Sequence, residues 1–436
     1  MGIVIMVAQV LLGLSLLIIL HELGHFLAAR TFGIKVEKFY LFFDAWGVKL
    51  FKFNYKGCEY GVGWLPLGGY VKIAGMIDES MDTEQLKGEP QPWEFRSKPA
   101  WQRLIVMLGG IIVNIIVGIL VFWMITFKYG TTDIDNNKIY GVKPGIIGEK
   151  VGLKEGDKIL AVNGNKANLF FEDLMTSDVL MGDAVLTVDR AGQEVKITLP
   201  PDILNDVSDH KKNEFVQPIF KMLPVSKIEK DSRADHMGLQ VGDSIVSING
   251  VAPLHLNQFR DLVQANKGKD INLGVIRNGS AMNLTAKADT TTALGFGNLP
   301  MVVHSYGLME SLPIGASKAF SVITDNIKGF GKMFKGEVRA DKALSGPVGI
   351  ATMFGTEVDW LRFWSLVGML SMALAFMNLL PIPALDGGHV VFLTIEMIQG
   401  KPLSEKFLER AQMVGFFILI ALMIFVFGND IFKLTK

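Results

Sequence analysis

Cysteine is nearly absent from this sequence, since Cys58 is the only one among its 436 residues. A single cysteine cannot close an internal disulfide and cannot build a zinc site from thiolates. The chain therefore has to use histidine and carboxylate side chains for any zinc that it binds. Net charge is also absent, because 43 lysines and arginines balance 43 aspartates and glutamates. Without a basic surplus, the composition gives no sign of nucleic-acid binding.

Apolar sequence, in contrast, is abundant: half of the residues are hydrophobic, and the mean hydropathy is +0.34. Candidate transmembrane helices are predicted at residues 3–26, 104–127, 361–380 and 413–427. The first stretch lacks the basic residues and the cleavage site of a signal peptide, so it is expected to stay as a span. Basic residues are concentrated between the first two spans. By the positive-inside rule, this connection is predicted to be cytoplasmic and the N-terminus to be outside.

The first predicted span contains the motif HELGH at residues 21–25. His21 and His25 are four residues apart, so they share a helix face and can bind one ion, while Glu22 can activate a water on that ion. Ionisable groups in a span are costly and are by default candidates for function. The alternative is two hydrogen-bonded histidines on a packed helix. The coincidence of motif and span favours a metalloprotease buried in the membrane.

A catalytic zinc ion takes three protein ligands, so a third one is expected far along the chain. The sequence NLLPIPALDGGH at residues 378–389 follows the third predicted span. Its prolines break the helix, and Asp386 is the predicted third ligand, because a metal would remove the cost of an unpaired buried aspartate. His389 is the second choice, although a histidine at a helix end that faces the headgroups is the favoured interpretation of this residue. The predicted topology brings this segment and HELGH to one membrane depth.

An internal repeat lies between the second and third spans. Residues 139–164 and 225–250 align without a gap at a shift of 86. The GD and NG pairs that both copies contain are turn signals, and the apolar alternation between them predicts a strand. Each copy thus looks like a small sheet capped by a helix and resembles a bacterial PDZ domain. An unrelated β module with two strand–turn repeats is the alternative. The topology predicts that both copies are extracytoplasmic.

Between the first two spans, residues 45–75 form short apolar and aromatic runs interrupted at Lys56–Gly57 and at Gly68–Gly69. These interruptions predict two or more strands in hairpins. The segment is unusually apolar for a cytoplasmic loop, which favours a membrane-associated β region whose edge strand can pair with an extended substrate. Residues 78–98 are polar and are predicted to be a linker.

HELGH, NLLPIPALDG and the two PDZ-like repeats together resemble the site-2 protease family of intramembrane zinc metalloproteases, with the order of parts of the bacterial regulator of sigma-E protease group. The resemblance implies that Zn²⁺ is held by His21, His25 and Asp386, and that Glu22 is the general acid/base. It also implicates Asn378, with Gly68 and Gly69 of the β region, in holding substrate. Two departures from the family pattern occur. Phe42–Phe43–Asp44 stands where many members have a GFG-type turn, and residues 110–114 lack the proline of a GPxxN motif.

The expected fold is a polytopic α-helical membrane protein with about four transmembrane helices, a membrane-associated β region and two extracytoplasmic PDZ-like α/β domains. Its predicted segments are 1–30 (first span), 31–103 (β region and linker), 104–127 (second span), 131–218 and 219–290 (PDZ-like), 291–360 (connection), 361–389 (third span) and 390–436 (fourth span and C-terminus). The location implied is the bacterial inner membrane.

The expected reaction is hydrolysis of peptide bonds within or near transmembrane segments, after another protease has removed the ectodomain. Anti-sigma factors and signal-peptide remnants are examples of such substrates, and the PDZ-like pair would exclude proteins that still carry bulky ectodomains. The partners are therefore transmembrane proteins and the lipid bilayer, with no nucleic acid. Two alternatives remain: a membrane-anchored metalloprotease acting on cytoplasmic-side substrates, and a PDZ scaffold that is not an enzyme.

Overall fold

The computed structural model describes residues 1–76, 88–209, 214–287, 293–297 and 301–434. In chain order, the α-helices of these residues are α1 (Gly2–Thr31), α2 (Ala100–Tyr129), α3 (Ile146–Lys150), α4 (Phe170–Leu174), α5 (Ser177–Met181), α6 (Ile203–Asp209), α7 (Arg233–His236), α8 (Leu256–Ala265), α9 (Ser311–Phe334), α10 (Ala340–Ala343), α11 (Pro347–Phe354), α12 (Trp360–Leu379), α13 (Asp386–Gln399) and α14 (Glu405–Leu434). The strands are β1 (Val36–Phe43), β2 (Lys49–Tyr55), β3 (Cys58–Gly63), β4 (Leu65–Ile73), β5 (Thr131–Ile134), β6 (Ile139–Pro144), β7 (Lys158–Val162), β8 (Asn165–Lys166), β9 (Val185–Arg190), β10 (Gln193–Thr198), β11 (Val216–Phe220), β12 (Lys227–Ile228), β13 (Ser244–Ile248), β14 (Ile271–Arg277), β15 (Ser280–Ala286), β16 (Phe296–Gly297) and β17 (Met301–His304).

The chain divides into two compact units. The membrane unit consists of Met1–Gly130, Ser305–Gly331 and Leu344–Lys436, and the repeat unit of Thr131–His304 and Lys332–Ala343. Helices α1, α2, α12 and α14 of the membrane unit are long and apolar enough to cross a bilayer. These four helices agree with the four predicted spans. Residues 78–87 of the linker predicted at 78–98 lie outside the described residues, as does the predicted end of the second repeat at residue 290.

Three of the four spans, formed by α1, α2 and α14, are longer than hydropathy indicates. Helix α1 continues to Thr31, so HELGH lies inside the helix and not at its end, because the final turns pack Ala29 into an apolar cluster beneath the sheet. Helix α14 covers 30 residues, where only 413–427 were predicted. One of its charged residues is buried with partners: the Asp430 carboxylate accepts the backbone N–H groups of Gly346, Val348 and Gly349 at 3.0, 2.8 and 3.1 Å. A hydropathy average counts Asp430 only as a polar residue and does not detect that its carboxylate is hydrogen-bonded within the protein.

Helices α1 and α2 cross at backbone contact. A Cβ on Gly109 would lie 2.5 Å from the carbonyl oxygen of Gly24, and a Cβ on Gly24 would overlap the Gly109 carbonyl. A Cβ on Gly110 would lie 2.5 Å from the rings of His21 and His25. Small residues allow this approach, as is usual where membrane helices meet. The crossing thus sets α2 directly against the histidines.

The predicted β region is a four-stranded sheet in the order β2-β3-β1-β4, so β4 is an edge strand. Strands β2 and β3 form a hairpin through Lys56 and Gly57, which have positive φ angles of 46° and 75°. The second predicted break is wrong, because Gly68 and Gly69 lie inside β4. They are needed there for close packing: a Cβ on Gly69 would lie 2.5 Å from Ile18 Cγ2.

In the repeat unit, both copies carry a strand between the GD and NG pairs, β7 in the first and β13 in the second. Each NG pair turns with positive φ angles, 51° and 80° at Asn163–Gly164 and 49° and 81° at Asn249–Gly250. The strand pairs with β9 in the first copy and β14 in the second. Two short helices, α4 and α5, precede β9, while one longer helix, α8, precedes β14. Each copy has its own apolar core.

Candidate metal centre

Two histidines of α1 and one aspartate of α13 converge in the membrane unit. The Nε2 atoms of His21 and His25 are 3.3 Å apart, and Asp386 Oδ2 lies 3.3 Å from the first and 3.4 Å from the second. Both histidines are less than 9% exposed, and the Asp386 side chain is 18% exposed. Among the described residues, these three form the group whose donor atoms could hold one metal ion.

The segment between α12 and α13 places the Asp386 carboxylate beside the two histidines. Helix α12 ends at Leu379, where the following prolines cannot continue it, and α13 begins at Asp386 itself. The turn is so tight that a Cβ on Gly387 would overlap the Leu380 carbonyl, and one on Gly388 would overlap the Ile382 carbonyl. The LDGG sequence thus starts α13 at the residue whose carboxylate lies beside His21 and His25 of α1.

The spacing of the three atoms fits zinc. Tetrahedral coordination with bonds of about 2.0–2.1 Å places neighbouring ligand atoms about 3.3–3.4 Å apart, which matches all three observed distances. Within the described chain, no hydrogen-bond donor satisfies the buried Asp386 Oδ2. Lone pairs that converge in this way repel one another unless a cation lies between them. Two histidine nitrogens and one carboxylate oxygen at this spacing therefore fit a zinc ion.

Helix α2 and its neighbours fix the orientation of both rings. His25 Nδ1 lies 2.8 Å from the Val106 carbonyl oxygen. This oxygen can only accept a hydrogen bond, so Nδ1 must carry the hydrogen. His21 Nδ1 lies 3.0 Å from the side-chain amide of the fully buried Asn114, whose Oδ1 otherwise has no donor. Turning that amide over makes Oδ1 the acceptor of Nδ1–H, and such an assignment follows from the hydrogen-bond network. Both Nε2 atoms are then free to bind a metal.

Three of the other candidate residues lie around one cavity of about 620 Å³. Glu22, Asn378 and His389 all line it together with the three converging residues. Asn378 Nδ2 is 3.1 Å from His21 Nε2, whereas His389 lies outside the metal-binding group. Gly68 and Gly69 do not line the cavity, although their neighbour Tyr70 does. Asn114 was missed as a site residue; its signal was a lone asparagine inside an apolar span.

The sheet supplies a charged wall that the sequence did not predict. Lys38, Asp44, Tyr70 and Lys72 line the cavity, and the Tyr70 hydroxyl donates to Asp44 Oδ1 at 2.8 Å. A second pair lies beside it on the sheet, where the Lys49 ammonium is 2.7 Å from Glu59 Oε1. That ammonium holds the pKa of Glu59 down at about 2.

Two histidines and a carboxylate at zinc spacing, with a glutamate in the same cavity and apolar helices around them, define a membrane-embedded zinc metallopeptidase. The model of peptidase family M50 matches residues 9–422, and the chain belongs to this family. The resemblance to the site-2 proteases, and the zinc dependence that it implies, are thereby confirmed.

Curated relatives cover nearly the whole chain. A regulator of sigma E protease of Haemophilus influenzae is 30% identical, over 97% of this chain and 98% of its own. The regulator of sigma-E protease RseP of Escherichia coli K12 is 29% identical, over 98% of each chain. A protein of Pasteurella multocida with the provisional name of a zinc metalloprotease is 31% identical, also over 98% of each. The chain is therefore an intramembrane zinc metalloprotease of the site-2 type, and the scaffold alternative is wrong.

Proposed function

We propose that His21, His25 and Asp386 hold the catalytic zinc and that Glu22 is the general acid/base. The observation that carries this proposal is the triangle of donor atoms with edges of 3.3, 3.3 and 3.4 Å, which are the edges of a zinc tetrahedron. Its fourth corner remains for water or substrate. His389 lines the same cavity but lies outside the triangle, so it is not assigned as a ligand.

Bound zinc would lower the pKa of a water molecule and polarise the scissile carbonyl. Glu22 takes the proton from the attacking water and returns it to the leaving amine, because its carboxylate lies in the same cavity as the ligands. Val106 and Asn114 keep Nδ1 of each ring protonated and hold each Nε2 toward the metal position. These residues prepare the site before substrate arrives.

The substrate is a transmembrane segment that has unwound locally. A membrane helix satisfies all its backbone hydrogen bonds internally, so its carbonyls are shielded until it opens. The opened segment lies extended beside edge strand β4, whose residues line the cavity. Gly68 and Gly69 allow β4 to lie close to Phe43 and Ile18, and this packing brings its edge to the cavity. Asn378 holds the segment from the opposite side.

The repeat unit is proposed to carry two PDZ-like domains, residues 131–218 and 219–290, on the extracytoplasmic side, with the N-terminus outside. The matching strands and NG turns of the two copies support the repeat, and the basic connection between α1 and α2 supports the orientation. Such modules would exclude substrates with bulky ectodomains and so make cleavage depend on an earlier cut. The names of two relatives suggest a membrane-bound regulator of a sigma factor as the first substrate to test, before signal-peptide remnants.

Mapping the cut site tests the intramembrane reaction. Purified protein is incubated in detergent with a model single-span protein that lacks an ectodomain, and the fragments are analysed by mass spectrometry. A cut inside the apolar segment is expected. Cuts confined to the polar residues that flank the span would favour the alternative of a membrane-anchored protease acting on cytoplasmic-side sequences.

Removing the repeats tests the filter. Ile134 of β5 pairs with Met301 of β17, so a short glycine-rich turn can replace residues 135–300 and keep that strand pair. The shortened protein should bind zinc and cut the model span both with and without an added folded ectodomain, whereas the intact protein should cut only the version without it. Loss of both reactions with zinc still bound would show that the repeats present substrate, and the filter would be abandoned.

A further inference from the structure

Helix α14 buries very few of its side chains. Among the residues of this helix whose burial the structure describes, only Gln412, Gly415 and Asp430 are buried. The Asp430 carboxylate has its three backbone partners, whereas no described residue hydrogen-bonds to the Gln412 side chain. A buried amide without a partner is costly, and such groups in native proteins are usually explained by function or by a bound molecule. The burial of Gln412 therefore needs an explanation from outside the described chain.

The Gln412 side chain lies in the wall of the cavity at the metal centre and is only 8% exposed. Gly415 is three residues further along α14, so the two residues share one face of the helix. A Cβ on Gly415 would lie 2.5 Å from the backbone nitrogen of Ala384, which also lines the cavity. Helix α14 is thus in close contact with the segment that precedes Asp386. This contact fixes the position of Gln412 in the cavity wall.

An extended substrate segment would bring unpaired backbone groups into this cavity. Pairing with edge strand β4 satisfies the N–H and C=O groups along one edge of the segment. The groups along its other edge lose their helical partners when the segment unwinds, and the membrane supplies none. Each group left unpaired would cost free energy comparable to a lost hydrogen bond. The cavity therefore needs donors and acceptors besides those of β4.

A glutamine side chain suits this task because its amide carries the same donor and acceptor as a peptide group. Among the described residues that line the cavity, Asn378 and Gln412 are the two with side-chain amides. Asn378 Nδ2 already lies 3.1 Å from His21 Nε2. The Gln412 amide is therefore the one whose donor and acceptor are both available to a substrate.

We propose that Gln412 binds a peptide group of the substrate backbone, on the edge of the extended segment that β4 leaves unpaired. This inference rests on the proposed protease function and adds a substrate-binding residue to it. The contact recognises main chain, so it does not depend on the side chains of the substrate. A segment that is still helical cannot make it, because its peptide groups are already paired. Gln412 thus favours unwound segments and takes no part in metal binding or proton transfer.

Ester substitution in the substrate tests this contact. A synthetic single-span peptide is prepared as a set in which one backbone N–H at a time, within four residues of the mapped cut, is replaced by an ester oxygen. The scissile bond itself stays an amide, and kcat and KM are measured for the full-length protein in detergent. An ester at the position that Gln412 contacts should raise KM about three- to tenfold and leave kcat nearly unchanged.

Gln412→Met shows which position depends on Gln412. This variant keeps the length of the side chain and loses the amide, so it should keep its zinc and raise KM for the all-amide substrate by about the same three- to tenfold factor. The ester at the contacted position should then raise KM no further. Esters at the positions that pair with β4 should keep their full effect, because those contacts are independent of Gln412.

Gln9→Met is the matched control. Gln9 of α1 is 7% exposed, and its Nε2 donates to the carbonyl oxygens of Gly355 and Glu357, both at 3.3 Å. It does not line the cavity. The control therefore removes an amide of similar burial from the same unit. It should lower thermal stability and leave KM unchanged for every substrate.

Three kinds of result would overturn the inference. Ester effects that are identical in wild type and Gln412→Met would show that Gln412 binds water and not the substrate backbone. Loss of zinc in Gln412→Met, or a lower kcat at unchanged KM, would assign Gln412 to the support of the reaction centre. An equal rise of KM in Gln9→Met would attribute the effect to helix packing. Failure of the protease proposal is distinct, because then no form of the protein would cut the all-amide substrate.

Discussion

In the repeat unit, Asp157 and Asp243 are each 1% exposed and fully hydrogen-bonded, whereas Asp386 in the membrane unit has a side chain that is 18% exposed and lies beside two histidines, and no described residue donates to its Oδ2. Asp243 accepts two hydrogen bonds from Arg277, at 2.7 and 2.6 Å, and one from the backbone of Gln240 at 2.8 Å. Asp157 has the same arrangement, in which Arg190 donates the two hydrogen bonds that Arg277 donates to Asp243.

The difference separates a structural carboxylate from a ligand. A buried carboxylate with an arginine and a backbone N–H closes a turn and requires nothing from outside the chain. Each GD turn of the repeats is closed in this way, by an arginine on the strand that follows the copy's helices. Among the described residues, no arginine is paired with Asp386, and its nearest polar neighbours are the two histidines proposed as ligands. In the proposed site, a bound cation would balance its charge.

Removing one carboxylate from each setting should give opposite results, and this is the largest effect that we expect. Asp386→Asn should lose most of the zinc and all detectable cleavage, because a neutral amide is a poor replacement for a carboxylate ligand. Asp243→Asn should keep zinc and lower the free energy of unfolding of the repeat unit by about 3 kcal/mol, since it leaves Arg277 without its counter-charge. Metal analysis and hydrogen exchange measure the two outcomes. Full zinc occupancy in Asp386→Asn, with loss in His389→Ala, would make His389 the ligand.

Glu22→Gln should separate metal binding from chemistry at the membrane site. The amide cannot accept a proton, so cleavage of the model span should fall by about 10²–10⁴-fold while zinc stays bound. Zinc content and kcat are measured on the same preparation. Undiminished turnover would exclude Glu22 as the general base, and loss of zinc would mean that it supports the ligands instead.

The buried asparagine of α2 should have a smaller effect than the ligands. Asn114→Ala removes the acceptor for His21 Nδ1–H and should weaken zinc affinity by about 10–100-fold, as measured by competition with a chelator. Asn378→Ala is the matched control, because Asn378 faces Nε2 and the cavity. This variant should raise KM for the model span and leave zinc affinity nearly unchanged. Equal zinc loss in both variants would contradict this division of roles.

The smallest effect should appear on acidification of the repeat unit. The hydrogen bonds from Arg277 hold the pKa of Asp243 below its ordinary value of 3.8, although burial opposes them. Because the folded-state pKa is the lower one, the stabilisation is complete above pH ~4 and is lost as the pH falls below the unfolded-state value. The protection of residues 225–286 against hydrogen exchange, corrected for the intrinsic exchange rate at each pH, should therefore fall below pH ~4. Arg277→Met should flatten this dependence, and an unchanged profile would show that the pair does not act in this range.

The sequence suggested the proposed metal ligands because zinc chemistry restricts residue type and spacing. Two histidines four residues apart in an apolar run, and an aspartate after a helix-breaking segment, are costly in a membrane unless they bind something. Asn114 gave only the weak signal of one polar residue, since its partner is distant in the sequence. The Val106 carbonyl gave no signal in the sequence, because every residue has a backbone carbonyl.

The fold was foreseen where hydropathy and turn residues determine it. The four spans and the strands of the repeats follow from apolar runs and from NG turns. The parallel pairing of β1 with β3, the strand position of Gly68 and Gly69, and helices α9, α11 and α13 were not foreseen. All of these depend on contacts between distant segments. The ion pair of Lys49 with Glu59 also joins side chains from separate strands, which no local pattern records.

The crossing of α1 and α2 has a consequence for how this enzyme can diverge. Where Gly24 and Gly109 meet, main chain touches main chain, so the separation of the two helices does not depend on the volume of any side chain. Substitutions elsewhere on either helix can accumulate without changing the distance between the histidines and the groups that orient them. A saturation library should therefore show near-complete intolerance at Gly24, Gly109 and Gly110, surrounded by lipid-facing positions that accept most apolar residues. The contact between the two backbones would then keep the dimensions of the metal centre constant in related proteins, while residues on the rest of the helix surface could change.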